Sequence, residues 1–217
     1  MSISRLFAVL SAAVAFVSVA SAQTPPAQTL SNGLVLVPGA KVALAYVRPG
    51  TVWTKYHTIL LKPLAIPPNV RNGAPNGTVP EFGESYILTD DDVAELQKAF
   101  ADSMHNVLGQ AGYAFVTTPQ ANTLVVAPQV LRIQLNAPIE DTREDFTDGF
   151  TLSQGGGSMT MEGVLADGTT KVVLAEVADR QYGSGMWGLN NSVSNLAEAR
   201  QAFDQWGRDL RDRLETP

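Results

Sequence analysis

The chain has 217 residues, a formal charge of −6 and no cysteine, which excludes disulfides, thiolate metal sites, cysteine nucleophiles and a lipid anchor carried on cysteine. An acidic balance, 21 Asp and Glu against 15 Lys and Arg, gives no general attraction for nucleic acid. With 45% apolar and 17% charged residues, most of the chain has the material for a packed core.

Residues 1–22 read as a secretory signal peptide. Arg5 precedes an apolar run from Leu6 to Ala20, and Ala20-Ser21-Ala22 supplies the small residues a signal peptidase reads, with cleavage expected after Ala22. The run is shorter than the roughly 20 apolar residues that cross a bilayer, and no later segment is apolar enough to span. A soluble, acidic, exported protein of the bacterial periplasm is expected. Residues 23–53 alternate Pro, Gly and Ser with pieces such as Leu34-Val35-Leu36-Val37, and read as a loosely ordered N-terminal leader along a single domain at 54–217.

Within that domain, Tyr56 to Ile66 is apolar and β-branched, with Pro63 pointing to a sheet edge or bulge, and Asn69 to Pro80 is a loop of Asn, Gly and Pro. Thr89 opens the clearest helix: Asp92 stands three residues on, and Leu88 with Val93 fits a staple across the cap. Val93, Leu96, Phe100, Val107 and Leu108 fall on one arc, and Gly109 with Gly112 ends the helix. Tyr113 to Thr117 and Thr123 to Leu135 are strand candidates, the second interrupted by Pro128. Asn136 to Gln154 carries Glu140, Asp141, Glu144, Asp145 and Asp148, which reads as an exposed acidic excursion rather than a calcium loop.

Ser158 to Ala166 and Lys171 to Asp179 flank Asp167-Gly168, a hairpin signal. A two-residue turn there sets Met161 opposite Leu174 and Gly163 opposite Val172, pairs Glu162 diagonally with Lys171, and sends Glu162 and Glu176 to opposite faces. After a Gly-rich stretch, Asn195 is placed to cap a last helix with Glu198 as its return partner. Leu196, Ala199, Phe203, Trp206, Leu210 and Leu214 form that helix's apolar stripe, and Asp204–Arg208 and Arg208–Asp212 fit helical ion pairs. The order predicts an α+β fold: a two-layer sandwich with a mostly antiparallel sheet of about five strands, covered on one face by two amphipathic helices.

These residues also resemble a known family. Thr54-Lys55-Tyr56 entering a strand with Leu61-Lys62-Pro63, Gly112-Tyr113, the Gly-Gly to Met-Glu run from Gly156 to Glu162, Ala178-Asp179-Arg180 and the terminal Phe203 to Trp206 are similar, in order and spacing, to the bacterial envelope proteins grouped as domain of unknown function 3313. The resemblance implies an exported protein with no established enzymatic role. Its members are often anchored as lipoproteins; lacking the cysteine for that, this chain is expected to be free in the periplasm.

No set of catalytic residues stands out. The two histidines, His57 and His105, have no motif around them, and no nucleophile elbow, zinc helix or phosphate loop occurs, so neither a catalytic residue, a metal site nor a cofactor is expected. The segment from Arg180 to Asn191 joins aromatic and Met side chains to glycines and amides, which makes Arg180, Tyr182, Met186, Trp187 and Asn190 the candidate partner-binding residues. The favoured reading is a non-enzymatic envelope protein, a binding or assembly module for another envelope protein or a cell-wall component. The alternative is a hydrolase or carbohydrate-active enzyme using acidic residues of the 158–180 hairpin.

Overall fold

The computed structural model describes residues 26–77, 79–80, 82, 84–141, 151–153, 157–183, 188–190 and 192–216. The segment read as a signal peptide, most of the acidic excursion, Met186 and Trp187 lie outside the described residues.

In chain order, β1 (Val35–Leu36) and β2 (Leu44–Val47) lead into a 3-10 turn at Trp53–Lys55, then β3 (Thr58–Leu61), a second such turn at Pro68–Val70, β4 (Glu84–Ser85) and α1 (Asp90–Gln110). β5 (Ala114–Phe115), β6 (Thr123–Gln134), β7 (Glu140–Asp141), β8 (Thr151–Ser153), β9 (Ser158–Asp167), β10 (Val173–Tyr182), β11 (Gly188–Asn190) and α2 (Ser192–Glu215) follow. One seven-stranded sheet runs β1-β2-β10-β9-β6-β3-β5, with two small two-stranded sheets, β4-β7 and β8-β11, beside it. The sheet is larger than about five strands because the segment read as a leader contributes β1 and β2, and Leu34 just before them is fully buried. Pairing is antiparallel except at β3, which lies parallel to both β5 and β6. α1 makes that crossover, as a parallel pair requires.

The first helix starts as its sequence dictates. Asp92 N donates to Thr89 Oγ1 at 3.2 Å while Thr89 N donates to Asp92 Oδ2 at 2.7 Å, so two end donors are satisfied reciprocally. Gly112, at φ +89°, follows its C-terminus in a conformation that other residues disfavour. Val93, Leu96, Phe100 and Leu108 are buried against the sheet and α2. Phe100 meets Phe203 edge to face at 5.3 Å, and at Gly207 an added Cβ would lie 3.2 Å from Val107, so the helices approach closely there.

The hairpin between β9 and β10 differs from its predicted form. Asp167 accepts from Thr169 N at 3.0 Å and Thr170 N at 2.9 Å, and Lys171 takes φ 60°. This carboxylate-organised turn occupies residues 168–172, so Ala166 faces Val173, and a bulge then sets Leu165 opposite Ala175. Met161 therefore faces Asp179 and Gly163 faces Val177. A further consequence is that Glu162, opposite Ala178, and Glu176, opposite Val164, share one face of the sheet. Lys171 turns its amine to the Gly168 carbonyl, not to Glu162.

α2 begins one turn earlier than the Asn195 cap predicts. Freed from that role, Asn195 pairs with other backbone: its Nδ2 donates to Ala137 O at 2.9 Å and its Oδ1 accepts from Asn136 N at 3.2 Å. Glu198 Oε2 accepts from Gly157 N at 3.2 Å. Ala199, Phe203, Trp206 and Leu214 are buried as the stripe predicts. Arg208 donates to Gln205 Oε1 instead of bridging its acidic neighbours, and Asp212 pairs with Lys41 and Arg211.

Candidate functional site

The helix-facing side of β2, β9 and β10 mixes small residues with Val47, Met161 and Leu165. Alternation along each strand puts Ala45, Gly163, Ala175 and Val177 on this side. At Gly163 even a Cβ would come within 3.1 Å of Val177 Cγ2. Facing this floor are Phe100 and Met104 of α1, Trp206 and Leu210 of α2, and Trp53. Large residues opposite small ones, with the helix axes set by the α1–α2 contact, leave a cleft of about 380 Å³. One water occupies about 30 Å³ of liquid, so this is room for a molecule rather than a packing flaw, and it falls in the usual size range of ligand sites.

The polar part of the lining is Lys41, Asp179, Asp209, Asp212, Arg213 and Thr216. The stretch 37–42 between β1 and β2 closes one side. It is tied to α2 by Lys41 Nζ on Asp212 Oδ2 at 2.7 Å, and at its base Ala43 N donates to Asp179 Oδ1 at 2.9 Å. Asp179 Oδ2 also accepts from Trp206 Nε1 at 2.9 Å and Gln181 Nε2 at 2.6 Å. Asp209 accepts from Gln205 Nε2 at 3.0 Å. Burial pushes its carboxyl up from the usual range, Gln205 pulls against this, and the nearby Asp179 adds to the rise. Arg213 lies over the Trp53 ring at 5.1 Å. The Trp53 indole nitrogen is enclosed and has no hydrogen-bond partner among the described residues.

Of the residues singled out from sequence, two are described with their side chains. Arg180 alternates with Asp179 and so points away from the helices, where its Nη2 donates to Ser158 Oγ at 2.8 Å and its guanidinium lies 4.7 Å from the Tyr182 ring. Tyr182 is 69% exposed and borders a second, more polar cleft of about 400 Å³ between the start of β9 and the first turns of both helices. Asn190 is described by its backbone alone, in β11, paired with Thr151. The apolar cleft went unforeseen: its floor is assembled in part from single small residues on three strands, and the only signal was Ala or Gly at positions where alternation calls for a core residue.

Three acidic residues of the hairpin, Asp167, Glu176 and Asp179, are engaged in holding the fold. Glu176 Oε1 accepts from Asn32 Nδ2 at 2.8 Å, and Asp179 is taken by its three donors. Both histidines are exposed, and His105 packs edge-on against Phe115 at 4.0 Å. Among the described residues no group of three or more potential metal ligands occurs, and no helix is long and apolar enough to cross a membrane.

A mixed sheet under two helices, with an apolar cleft between the layers, defines an α+β protein of the cleft-bearing kind. Residues 31–210 match the model described as "Protein of unknown function (DUF3313)", and the chain belongs to that family. No curated protein matches the sequence. Among solved structures, the PelC dodecamer from Paraburkholderia phytofirmans is similar over 77% of this chain and 96% of its own, at 11% identity and a TM-score of 0.43. A Xanthomonas campestris protein of family DUF330 is similar over 76% and 87%, at 13% identity and a TM-score of 0.42. A homolog of neuraminyllactose-binding hemagglutinin from Helicobacter pylori is similar over 75% and 84%, at 12% identity and a TM-score of 0.40. Likeness at this level identifies neither a ligand nor a partner.

Proposed function

We propose that this chain is an exported, non-enzymatic binding module of the bacterial cell envelope, and that the cleft between the sheet and α2 receives an apolar molecule. The observation that supports this reading is the cleft itself: about 380 Å³ between the 37–42 stretch, the end of α2 and a floor that includes Ala45, Gly163 and Ala175. A cleft of this size and apolar lining gives an apolar ligand surface to bury. An envelope setting supplies such molecules in lipid and in hydrophobic chain ends.

The test is binding of a fluorescent apolar probe such as 1-anilinonaphthalene-8-sulfonate to the folded protein, with Ala175→Leu and Ala45→Leu as variants that fill the cleft. Saturable binding by the parent protein that both variants lose, with their melting temperatures held or raised, is the expected result. No binding by the parent, or binding that the filled variants retain, overturns the cleft as the site.

A partner surface at the end of β10 fits the same module. Tyr182 presents an exposed ring backed by the Arg180 guanidinium, a pairing common in protein contacts. Tyr182→Ala should reduce crosslinking to an envelope partner in cells; unchanged crosslinking removes that surface from the proposal.

A further inference from the structure

The charges around the apolar cleft are not equally engaged. Lys41 is held by Asp212 at 2.7 Å, and Arg213 is stacked on Trp53. Arg211 also contacts Asp212, through Nη2 at 2.8 Å. By contrast, every donor to Asp179 is neutral: Ala43 N, Gln181 Nε2 and Trp206 Nε1. Asp209 receives the neutral amide of Gln205. Two carboxyl groups thus line the same apolar cleft, and neither has a cation in hydrogen-bond contact among the described residues; Lys41, held by Asp212, attracts Asp209 from farther off. The buried N–H of Trp53 is closed off and does not select a head group.

Asp179 is met by three donors, whereas Asp209, partly removed from water beside it, has one neutral donor and is the carboxyl an opposite charge would serve most. A cation against Asp209 offsets its charge, whereas an anionic head adds another negative charge to a lining that already holds Asp179, Asp209 and Asp212. We infer that the cleft takes a cationic amphiphile: an apolar chain along the cleft between the 37–42 stretch and α2, with a protonated or quaternary amine against Asp209. This rests on the reading of the cleft as an apolar ligand site and adds the chemistry of its head group. A free alkylamine, a cationic lipid and a hydrophobic peptide with an amino terminus share this chemistry; the inference commits to the amphiphile.

The experiment uses the folded full-length mature chain and calorimetric titration with dodecyltrimethylammonium, dodecyl maltoside and dodecanoate, each kept below its micelle concentration. The expected order is cation over neutral over anion, with about tenfold between the first and last, the scale of one close charge contact. Asp209→Asn keeps the side chain's shape and should bring cation and anion to within about threefold, less than half a close charge contact. Asp91→Asn, an exposed carboxylate at the far end of α1, serves as the control for the chain's overall acidity and should leave the order intact. Equal affinity for all heads, an order unchanged in Asp209→Asn, or the same loss in Asp91→Asn overturns the cationic head while leaving the apolar cleft standing. Binding of none of the three amphiphiles overturns the cleft reading with it.

Discussion

The indole nitrogen of Trp206 donates to Asp179 Oδ2 at 2.9 Å, joining the middle of α2 to the strand beneath it. The same carboxylate holds Ala43 N at 2.9 Å, so it also fixes the approach to β2. Both residues belong to short runs, Ala178-Asp179-Arg180 and Phe203 to Trp206, that carry the family likeness in the sequence. The fold gives those runs a common purpose as the two halves of a clamp between layers. Asp179→Ala, which strands three donors, should cost about 2–4 kcal/mol in urea unfolding. Trp206→Phe, which removes one donor and keeps most of the ring, should cost clearly less. Equal losses would refute the clamp.

A second clamp closes the sheet's other end. Tyr56 donates its hydroxyl to Asp167 Oδ2 at 2.9 Å, Lys55 reaches the same oxygen at 3.2 Å, and Thr169 and Thr170 donate their backbone N–H groups to Oδ1. The Thr170 N–H, followed by the Tyr56 and Lys55 contacts, holds the Asp167 carboxyl well below the usual carboxylate range against the opposing effect of burial. The unfolded chain therefore binds a proton more readily than the folded one. The stability this gives is complete above about pH 4 and is lost as pH falls through the folded value. Asp167→Asn should flatten the acid side of the stability curve, and Tyr56→Phe should cost about 1.5–3 kcal/mol near neutrality. An unchanged acid limb in Asp167→Asn counts against this account.

Asp209 has the opposite sign. Burial raises its carboxyl, so the folded chain binds the proton more tightly, and stability declines as pH rises from about 4 through the raised value. Asp209→Asn should raise the melting temperature near neutral pH and leave it unchanged below about pH 4. A lower melting temperature at pH 7 would show that the carboxylate is stabilising where it stands.

Two glycines sit against carbonyl oxygens. A Cβ at Gly157 would lie 2.6 Å from Gln134 O, and one at Gly168 would lie 2.8 Å from Thr123 O. Backbone cannot step aside as a side chain can. Gly157→Ala and Gly168→Ala should each cost about 1–3 kcal/mol in urea unfolding. Gly163→Ala, against the movable methyl of Val177, should cost less and narrow the cleft. If all three behave alike, the backbone contacts are not the cause.

What could be read from the sequence was local. The reciprocal cap at Thr89 and Asp92, the buried faces of both helices and a mostly antiparallel sheet follow from side-chain pattern over a turn or two of chain. The turn at Asp167-Gly168 misled because the pair is also compatible with a longer loop, and a carboxylate that organises the next backbone groups chose that loop. The parallel placement of β3 and the recruitment of β1 and β2 depend on partners far along the chain. Asn195 follows the same rule: its amide caps nothing in its own helix and serves Asn136 and Ala137 instead. The cleft was hidden for a related reason. A void is a property of what several distant residues fail to fill, and no window of sequence contains it.

β2 pairs along its whole length with Ala175–Ala178 of β10, leaving it no other strand but the short β1. Such a piece is marginal by itself in water. β2 therefore completes its pairing only with a strand about 130 residues further along the chain, a contact of long sequence separation. The N-terminal edge of the layer is thus tied to the rest of the fold by β10 and by the buried Leu34, not by its neighbours in sequence.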